Sequence, residues 1–221
     1  MRILWKVLIL ISIDILLFYK FGFWPGIIGL PFIIWKILDI FGITRKITFS
    51  RGTFTTGMVF LKDYQGPYFK NKEAFAEAAN LIKSFKLKDY IIIGIYYDRP
   101  GEVDESKLRY SIGIYKKKID KPDTSLERFC NSKDFYYAEL PEAASIYSSW
   151  DYSNSFTMMM GISKFKYGLE QKLQDPDFKK TFKLKDTDCK IIIELYETNS
   201  SIQFYAPFSK VDKFKLYKKD K

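Results

Sequence analysis

Apolar residues are distributed along this chain of 221 residues in two different ways. The N-terminal part holds two long and nearly continuous apolar runs, residues 3–19 and 21–43. From residue 45 onward, short alternating or strongly apolar stretches are separated by segments whose apolar positions have helical spacing. The pattern predicts a membrane region over residues 1–44, followed by a globular domain in which strands and helices alternate.

The first apolar run is predicted to be a transmembrane helix that remains as an anchor. It would be about 25 Å long, slightly shorter than a ~30 Å hydrocarbon core, and Lys6 and Lys20 could reach the two membrane surfaces. The second run contains Pro25 and Pro31, so it could be a second span, a re-entrant segment or an interfacial helix. A cleavable signal peptide is the alternative, but no small-residue cleavage site follows the apolar stretch.

Three residues of this region are candidate contacts to the membrane or to a partner. Asp14 lies inside the first run, where a carboxylate is costly, so we expect it to face protein, water or a partner subunit. The alternative is an Asp that a short, tilted helix tolerates. Trp24 and Trp35 suit the depth of the lipid headgroups. Positive charges are more numerous after the first run, which places the globular domain on the positive-inside face if only that run spans. If both apolar runs span the membrane, the globular domain lies on the same side as the N-terminus.

The globular part is predicted to contain one β-α-β-β module twice. The first module has strands at residues 53–63, 90–97 and 107–115, and a helix from the N-cap Asn71 to about residue 85. A linker follows, with a short helix at 123–130 and a strand at 135–139. The second module has a helix at 155–173 and strands at 143–152, 189–197 and 201–207. Two such modules would form an α+β fold: one antiparallel sheet with its helices on one face.

A near-repeat of sequence supports the duplication. IIIGIYYD at residues 91–98 returns as IIIELYET at 191–198, in the third element of each module. Alternate residues of a strand share a face, so Gly94 lies beside Tyr96 and Glu194 lies beside Tyr196. If a pseudo-twofold axis relates the modules, the bare glycine and the carboxylate occupy equivalent places near a central cleft.

The pattern around Glu194 predicts a site for a small apolar or cationic ligand. A partly desolvated carboxylate beside aromatic faces attracts an organic cation, and Trp150 could complete this box from a facing strand. Tyr147 is the competing candidate on that strand, but the two lie on opposite faces unless a bulge intervenes. The alternative is that Glu194 pairs with a surface lysine and that the tyrosines are ordinary strand residues.

Four segments together resemble a known family. GMVFLKDYQGPY, IIGIYYDRPGEV and the pair IELYE and IQFYAPF are similar to the GyrI-like domains, the effector-binding fold of bacterial transcription activators. The whole chain to residue 207 resembles the testis-expressed membrane protein family, which joins an N-terminal anchor to such a domain. The resemblance implies a GyrI-like (SHS2) pair with a cleft for small ligands, and a role as an endoplasmic-reticulum receptor for selective autophagy or as an adaptor.

The C-terminus departs from that family. The receptors carry a long acidic tail with the autophagy-binding motif, whereas residues 210–221 are a short basic tail. The endoplasmic reticulum follows from the resemblance, and the mitochondrial inner membrane remains the competing location because an uncleaved anchor with flanking positive charge suits either.

Composition excludes several classes of chemistry. The chain has no histidine and two cysteines, Cys130 and Cys189, so we expect no catalytic triad, no metal site, no cofactor and no disulfide framework. Its net charge is +10, mostly from dispersed lysines. No phosphate-binding loop or RNA-binding signature accompanies this charge, so nucleic acid is not expected as a partner.

The favoured function is a non-catalytic, membrane-anchored GyrI-like domain over residues 45–209 that serves as an accessory subunit or adaptor of a membrane protein complex. Its expected partners are the lipid bilayer and other membrane subunits. Two alternatives stay open: a sensor of an apolar or cationic small molecule, and an autophagy-receptor-like protein that lacks the tail motif. Hydrolase activity in the cleft remains a weaker alternative.

Overall fold

A computed structural model describes residues 2–21, 23–120, 124–185 and 188–218. The side chains of Asp14, Trp24 and some of their neighbours lie outside this description. The helices are α1 Arg2–Phe21, α2 Phe23–Ile40, α3 Lys72–Ser84, α4 Thr124–Ser132, α5 Ser155–Gln174 and α6 Pro176–Phe182. The strands are β1 Ser50–Phe54, β2 Gly57–Gln65, β3 Tyr90–Tyr96, β4 Arg109–Lys116, β5 Tyr136–Leu140, β6 Ala143–Asp151, β7 Ile192–Tyr196 and β8 Ser201–Pro207.

The eight strands form one sheet whose order reveals the duplication. The order is β1-β6-β8-β7-β3-β4-β2-β5. From the centre outward, the first module contributes β3, β4 and β2, and the second module contributes β7, β8 and β6. In each half these are the last two strands of a β-α-β-β module followed by its first strand. The predicted α+β fold with an antiparallel sheet is confirmed. The modules join through β3 and β7, where Gly94 is the register partner of Glu194.

The sheet edges are exchanged between the modules, which the sequence did not predict. β1 precedes β2 in the chain but pairs with β6, and β5 precedes β6 but pairs with β2. The single strand expected at residues 53–63 is therefore wrong: the run divides into β1 and β2. The division falls at Thr55 and Thr56. The carbonyl of Thr55 accepts a hydrogen bond from the hydroxyl of Tyr115 on β4, and the hydroxyl of Thr56 donates one to the carbonyl of Leu140 on β5.

One face of the sheet carries a core that the C-terminal segment covers. Phe54 on β1 contacts Tyr115 of one module and Tyr205 of the other. Phe214 packs edge-on against Phe54 with ring centroids 5.5 Å apart, and it is fully buried. We call residues 208–218 the C-terminal strap. The segment predicted as a basic tail is therefore docked on the sheet as far as residue 218.

A buried carboxylate holds the end of this strap. Asp63 on β2 accepts hydrogen bonds from the hydroxyls of Ser111 and Tyr136. Its second carboxylate oxygen accepts the backbone N–H of Lys218 at 2.7 Å. Because charged hydrogen bonds to a buried carboxylate are among the stronger ones, Asp63 fixes the strap at its last described residue.

The opposite face carries α3, whose buried residues are Ala74, Ala78 and Leu81. Small side chains let this helix approach β3 and β4 closely. Phe85, the C-cap of α3, packs edge-on against Phe129 of α4 with centroids 5.2 Å apart. We call this side of the sheet the helix face.

The chain divides into two compact units: Met1–Ile47 with Asp151–Gly168, and Thr48–Trp150 with Leu169–Lys221. In the first unit, α1 and α2 contact each other. The ammonium of Lys164 on α5 donates hydrogen bonds to the carbonyls of Gly42, Ile43 and Arg45. This bonding fixes the end of the helical hairpin to α5.

The predicted transmembrane span receives no support. Within the described part of the chain, none of the helices combines the length and apolar character needed to cross a membrane. The sequence shows why the first run is a weak candidate, since Lys6 and Asp14 interrupt it and Lys20 follows it directly. The described side chains of α1 and α2 nevertheless leave many large apolar groups exposed, among them Ile13, Leu16 and Trp35.

Candidate functional site

The site lies at the junction of the two modules, where β3 and β7 pair. Tyr96 is fixed two residues beyond Gly94, and Tyr196 two residues beyond Glu194, so all four share one face of the sheet. This is the helix face, because the Phe75 ring of α3 packs edge-on against Tyr196 with centroids 4.8 Å apart. The structure thus brings together Gly94, Tyr96, Glu194 and Tyr196, as the sequence predicts.

Glu194 is fully buried. The hydroxyl of Tyr196 donates a hydrogen bond to its Oε2 at 2.6 Å, and Tyr96 also forms a side-chain hydrogen bond with it. Glu194 is therefore not a surface residue, as its pairing with a solvated lysine would require. The carboxylate sits in the middle of the sheet, and phenols from both modules bond to it.

The glycine makes room for an aromatic ring. A Cβ added at Gly94 would lie 3.1 Å from Cε2 of Tyr96 and 3.3 Å from its hydroxyl, which is tighter than ordinary van der Waals contact. The Tyr96 ring therefore folds over the bare backbone of Gly94, beside Glu194. This accounts for the difference between the two copies of the repeat. The strand β7 supplies the carboxylate of Glu194, and β3 supplies, at Gly94, the space for the Tyr96 ring.

Further aromatic rings extend the site along the first module. Tyr68 packs edge-on against Tyr96 with centroids 4.9 Å apart and against Tyr110 at 5.4 Å. Tyr96 and Tyr110 are register partners on β3 and β4 and lie nearly parallel. We call Tyr68, Phe75, Tyr96, Tyr110 and Tyr196 the aromatic cluster.

Both phenols on Glu194 are held in their neutral form. Burial raises the pKa of Tyr96 and of Tyr196 well above the usual value for tyrosine, and the nearby charge of Glu194 raises it further. Near neutral pH both hydroxyls therefore remain protonated and can donate hydrogen bonds. The site then holds one acidic group surrounded by neutral aromatic rings.

Asn71 has a different role from the one its position predicts. It is the N-cap residue of α3, but its side chain makes no capping hydrogen bond. Its amide instead donates to the hydroxyl of Tyr96 at 3.4 Å. Sequence reasoning missed Asn71, Tyr68, Phe75 and Tyr110 as site residues. Only Tyr110 left a usable signal, since it falls on the predicted strand beside Tyr96.

The remaining predicted site residues lie elsewhere. Trp150 is buried on β6, which β8 separates from β7. Tyr147 packs against Tyr205 and the core of the strap face, so the expectation that at most one of this pair lines the cleft is consistent with the sheet. Trp35 is exposed on α2 and its ring lies 4.7 Å from the Lys36 ammonium. The side chains of Asp14 and Trp24 lie outside the described residues.

The two cysteines have the properties of core residues. Cys130 and Cys189 are free and buried, and burial raises the pKa of each thiol to about 12. Near neutral pH both thiols therefore stay protonated. The thiolate, which acts as a nucleophile or as a metal ligand, is not formed. Among the described residues, no group of three or more acidic or cysteine side chains could hold a metal ion.

No family model matches the chain, and no curated protein matches its sequence significantly. It is similar to the solved structure of SAV2435 bound to tetraphenylphosphonium, with 9% identity, a TM-score of 0.46 and coverage of 75% of this chain and 96% of that one.

Two other solved structures are similar at the same level. The C-terminal domain of EcmrR is 11% identical with a TM-score of 0.42, covering 73% of this chain and 96% of that one. A hydrolase from Listeria innocua is 12% identical with a TM-score of 0.43, covering 79% and 98%. The duplicated fold is established by the strand order itself. No comparison supports the resemblance to the testis-expressed membrane protein family.

Proposed function

We propose that this chain is a small-molecule-binding protein of the GyrI-like type, and that its ligand is an organic cation with an apolar body. One observation carries the proposal: fully buried Glu194 lies opposite Gly94 at the centre of the sheet, within the aromatic cluster. This favours the ligand-binding alternative over the adaptor role that the sequence suggested first.

The chemistry of the site suits such a ligand. A carboxylate loses a large hydration free energy when it is buried, and a cation that enters the site would recover part of it by Coulomb attraction. The faces of tyrosine and phenylalanine rings attract the same charge. Without a ligand, the hydroxyls of Tyr96 and Tyr196 form hydrogen bonds with Glu194. They would turn away when the cation of the ligand takes their place.

The site is closed in this structure, so a ligand must displace part of its cover. Tyr68 belongs to the short 3₁₀ helix Tyr68–Lys70, where Phe69 is exposed. The helix α3 that follows is held by few large buried side chains, since two of the three are alanines. We infer that residues 67–75 move outward, taking Tyr68 and Phe75 away from Glu194.

Binding of tetraphenylphosphonium to the full-length chain tests the proposal. We expect saturable binding by calorimetry, and Glu194→Gln should weaken it at least about tenfold, because the substitution removes the buried charge and keeps the shape. Tetraphenylborate, of nearly the same size but negative, should bind far more weakly.

Glu142→Gln is the matched control, since it makes the same chemical change at an exposed position. It should leave binding unchanged. Should Glu194→Gln fail to fold, the comparison of phosphonium with borate on the unaltered protein still decides. Equal affinity for the two ions, or tighter binding of borate, would rule out a cation site.

Attachment to a membrane, the first step of the adaptor role, is a second candidate function. Large apolar side chains on both helices of the N-terminal hairpin are exposed to solvent, and an apolar surface of this kind is typical of membrane or protein contacts. We propose that this surface lies on the apolar boundary of a bilayer. The identity of the membrane, the endoplasmic reticulum or the mitochondrial inner membrane, stays a prediction from the sequence.

Flotation with neutral phosphatidylcholine vesicles tests this attachment. We expect the full-length chain to float with the vesicles, and Ile13→Asn combined with Leu16→Asn to leave most of it in the unbound fraction, because both side chains are exposed on α1. Ile119→Asn, which changes an exposed apolar residue outside the hairpin, should float as the unaltered protein does. Equal flotation of all three proteins would refute the assignment.

A further inference from the structure

A cavity lies just beyond the end of β3 and just before the start of β7, where the strap passes the sheet. Its volume is about 330 Å³, at the low end of the roughly 300–1,000 Å³ typical of small-molecule sites. Three segments form its walls: the turn that connects β3 to β4, the start of β7, and the C-terminal strap. Tyr97, Ile191 and Tyr217 supply apolar surface.

The charged residues of this cavity are predominantly positive. Arg99, Arg109, Lys190 and Lys215 line it, against the two acidic residues Asp98 and Glu102. A cavity with two more cationic than acidic groups favours anions, which is the opposite of the preference expected at Glu194.

The acidic groups are already engaged with arginine. Asp98 accepts hydrogen bonds from Nε and Nη2 of Arg109 at 3.0 and 2.9 Å, and from the Arg109 backbone N–H at 2.8 Å. Glu102 lies 3.6 Å from Nη1 of Arg99. Both carboxylates thus hold guanidinium groups in place around the cavity. Lys190 is left to provide excess charge, since Lys215 is paired with Asp212.

Lys190 is the group best placed to receive a ligand. It lines the cavity and is exposed, and no described residue forms an ion pair or hydrogen bond with its ammonium. Lys215 is bonded to Asp212 on the strap. An incoming anion would therefore meet the Lys190 charge without first breaking a pair to any described residue, and its apolar body would lie against Tyr97 and Tyr217.

We propose that this cavity binds a small organic anion, a carboxylate or phosphate ester attached to an apolar or aromatic body, with Lys190 as the principal charged contact. The cavity is distinguished from the nearby Glu194 site by its charge, since the two prefer ions of opposite sign. The carbonyls of Asp98 and Arg109, which belong to its lining, accept hydrogen bonds from the Tyr68 hydroxyl of the aromatic cluster. Because Tyr217 and Lys215 belong to the strap, an occupied cavity would also stabilise the docked strap.

Titration of the full-length chain with benzoate and with phenyl phosphate tests the site, with binding followed by calorimetry or NMR. We expect at least one anion to bind, and Lys190→Glu to weaken it at least about tenfold through the reversed charge. Benzylamine, a cation with the same ring, should not bind there. Lys88→Glu is the matched control: it reverses the charge of an exposed lysine outside the cavity and should leave the affinity unchanged.

Three outcomes would overturn the proposal: no binding of either anion up to about 10 mM, binding that Lys190→Glu does not change, or equal binding of benzylamine. Thermal unfolding of Lys190→Glu verifies its fold, and Lys190→Gln gives a milder second test should the reversal destabilise the protein. Tetraphenylphosphonium binding should be unchanged by Lys190→Glu, so failure here leaves the Glu194 proposal standing and the converse also holds.

Discussion

Gly113→Ala should destabilise the protein more than other single changes in the middle of the sheet. Gly113 lies on β4 between β2 and β3, with Leu61 and Ile93 as its register partners. A Cβ at this position would overlap the carbonyl oxygen of Phe60 and approach the backbone of Leu61. Because the obstacle is backbone in a central strand, relief requires β2 and β4 to separate. We expect a loss of at least about 3 kcal/mol in the free energy of unfolding, measured by urea denaturation.

Gly94→Ala is the matched comparison on the adjacent strand. Its added Cβ meets the side chain of Tyr96 at 3.1 Å, and a ring can shift where backbone cannot. We expect a cost of about 1 kcal/mol. If the two alanine variants unfold at the same urea concentration, the close packing of β2 against β4 at Gly113 is not a determinant of stability.

The near-repeat of sequence is sufficient to predict the duplicated module, because both copies are strongly apolar and of strand length. In the structure they are β3 and β7, the central pair of the sheet. Ser201–Pro207 agrees with its predicted bounds, and the helix Ser155–Gln174 differs by one residue. Such segments have strong periodicity and clear turns at their ends, so local pattern determines them.

The exchange of β1 and β5 between the modules could not be predicted in this way. Nothing in the order of strands along the chain indicates that β1 pairs with β6, since the partner lies about a hundred residues away and only tertiary packing selects it. The strap was missed for a related reason. Its many lysines indicate a solvated tail, whereas the docking uses the apolar residues between them, Phe214 with Val211 and Leu216, and a backbone N–H that bonds to Asp63.

The candidate site likewise contains residues that local pattern predicts and residues that only tertiary packing brings in. Strand alternation placed Gly94, Tyr96, Glu194 and Tyr196 on one face, because that inference needs only the period of a strand. Tyr68 and Phe75 come from a 3₁₀ helix and from α3, and no local pattern shows which side chains those elements turn toward Glu194. The burial of Glu194 likewise follows from its place at the module junction and not from its neighbours in sequence.

Phe214→Ala should release the C-terminal strap and destabilise the whole sheet. Its ring is fully buried and packs against Phe54, which itself contacts Tyr115 of the first module and Tyr205 of the second. Removal of a buried phenylalanine ring costs about 3–5 kcal/mol in comparable cores. We expect a loss of that size in urea denaturation, together with faster cleavage of the C-terminal segment by trypsin, since the strap is rich in lysine.

Lys213→Ala, at the exposed neighbouring position, separates the role of the ring from that of the strap's charge. It should leave stability within about 0.5 kcal/mol of the unaltered protein and leave the other lysines of the strap protected from trypsin. If Phe214→Ala costs no more than Lys213→Ala, the strap contributes little to the core, and the cavity walls formed by Lys215 and Tyr217 lose their fixed position. A large cost for Phe214→Ala alone would instead show that apolar contacts, with Phe214 as the largest, hold a highly charged segment on the sheet.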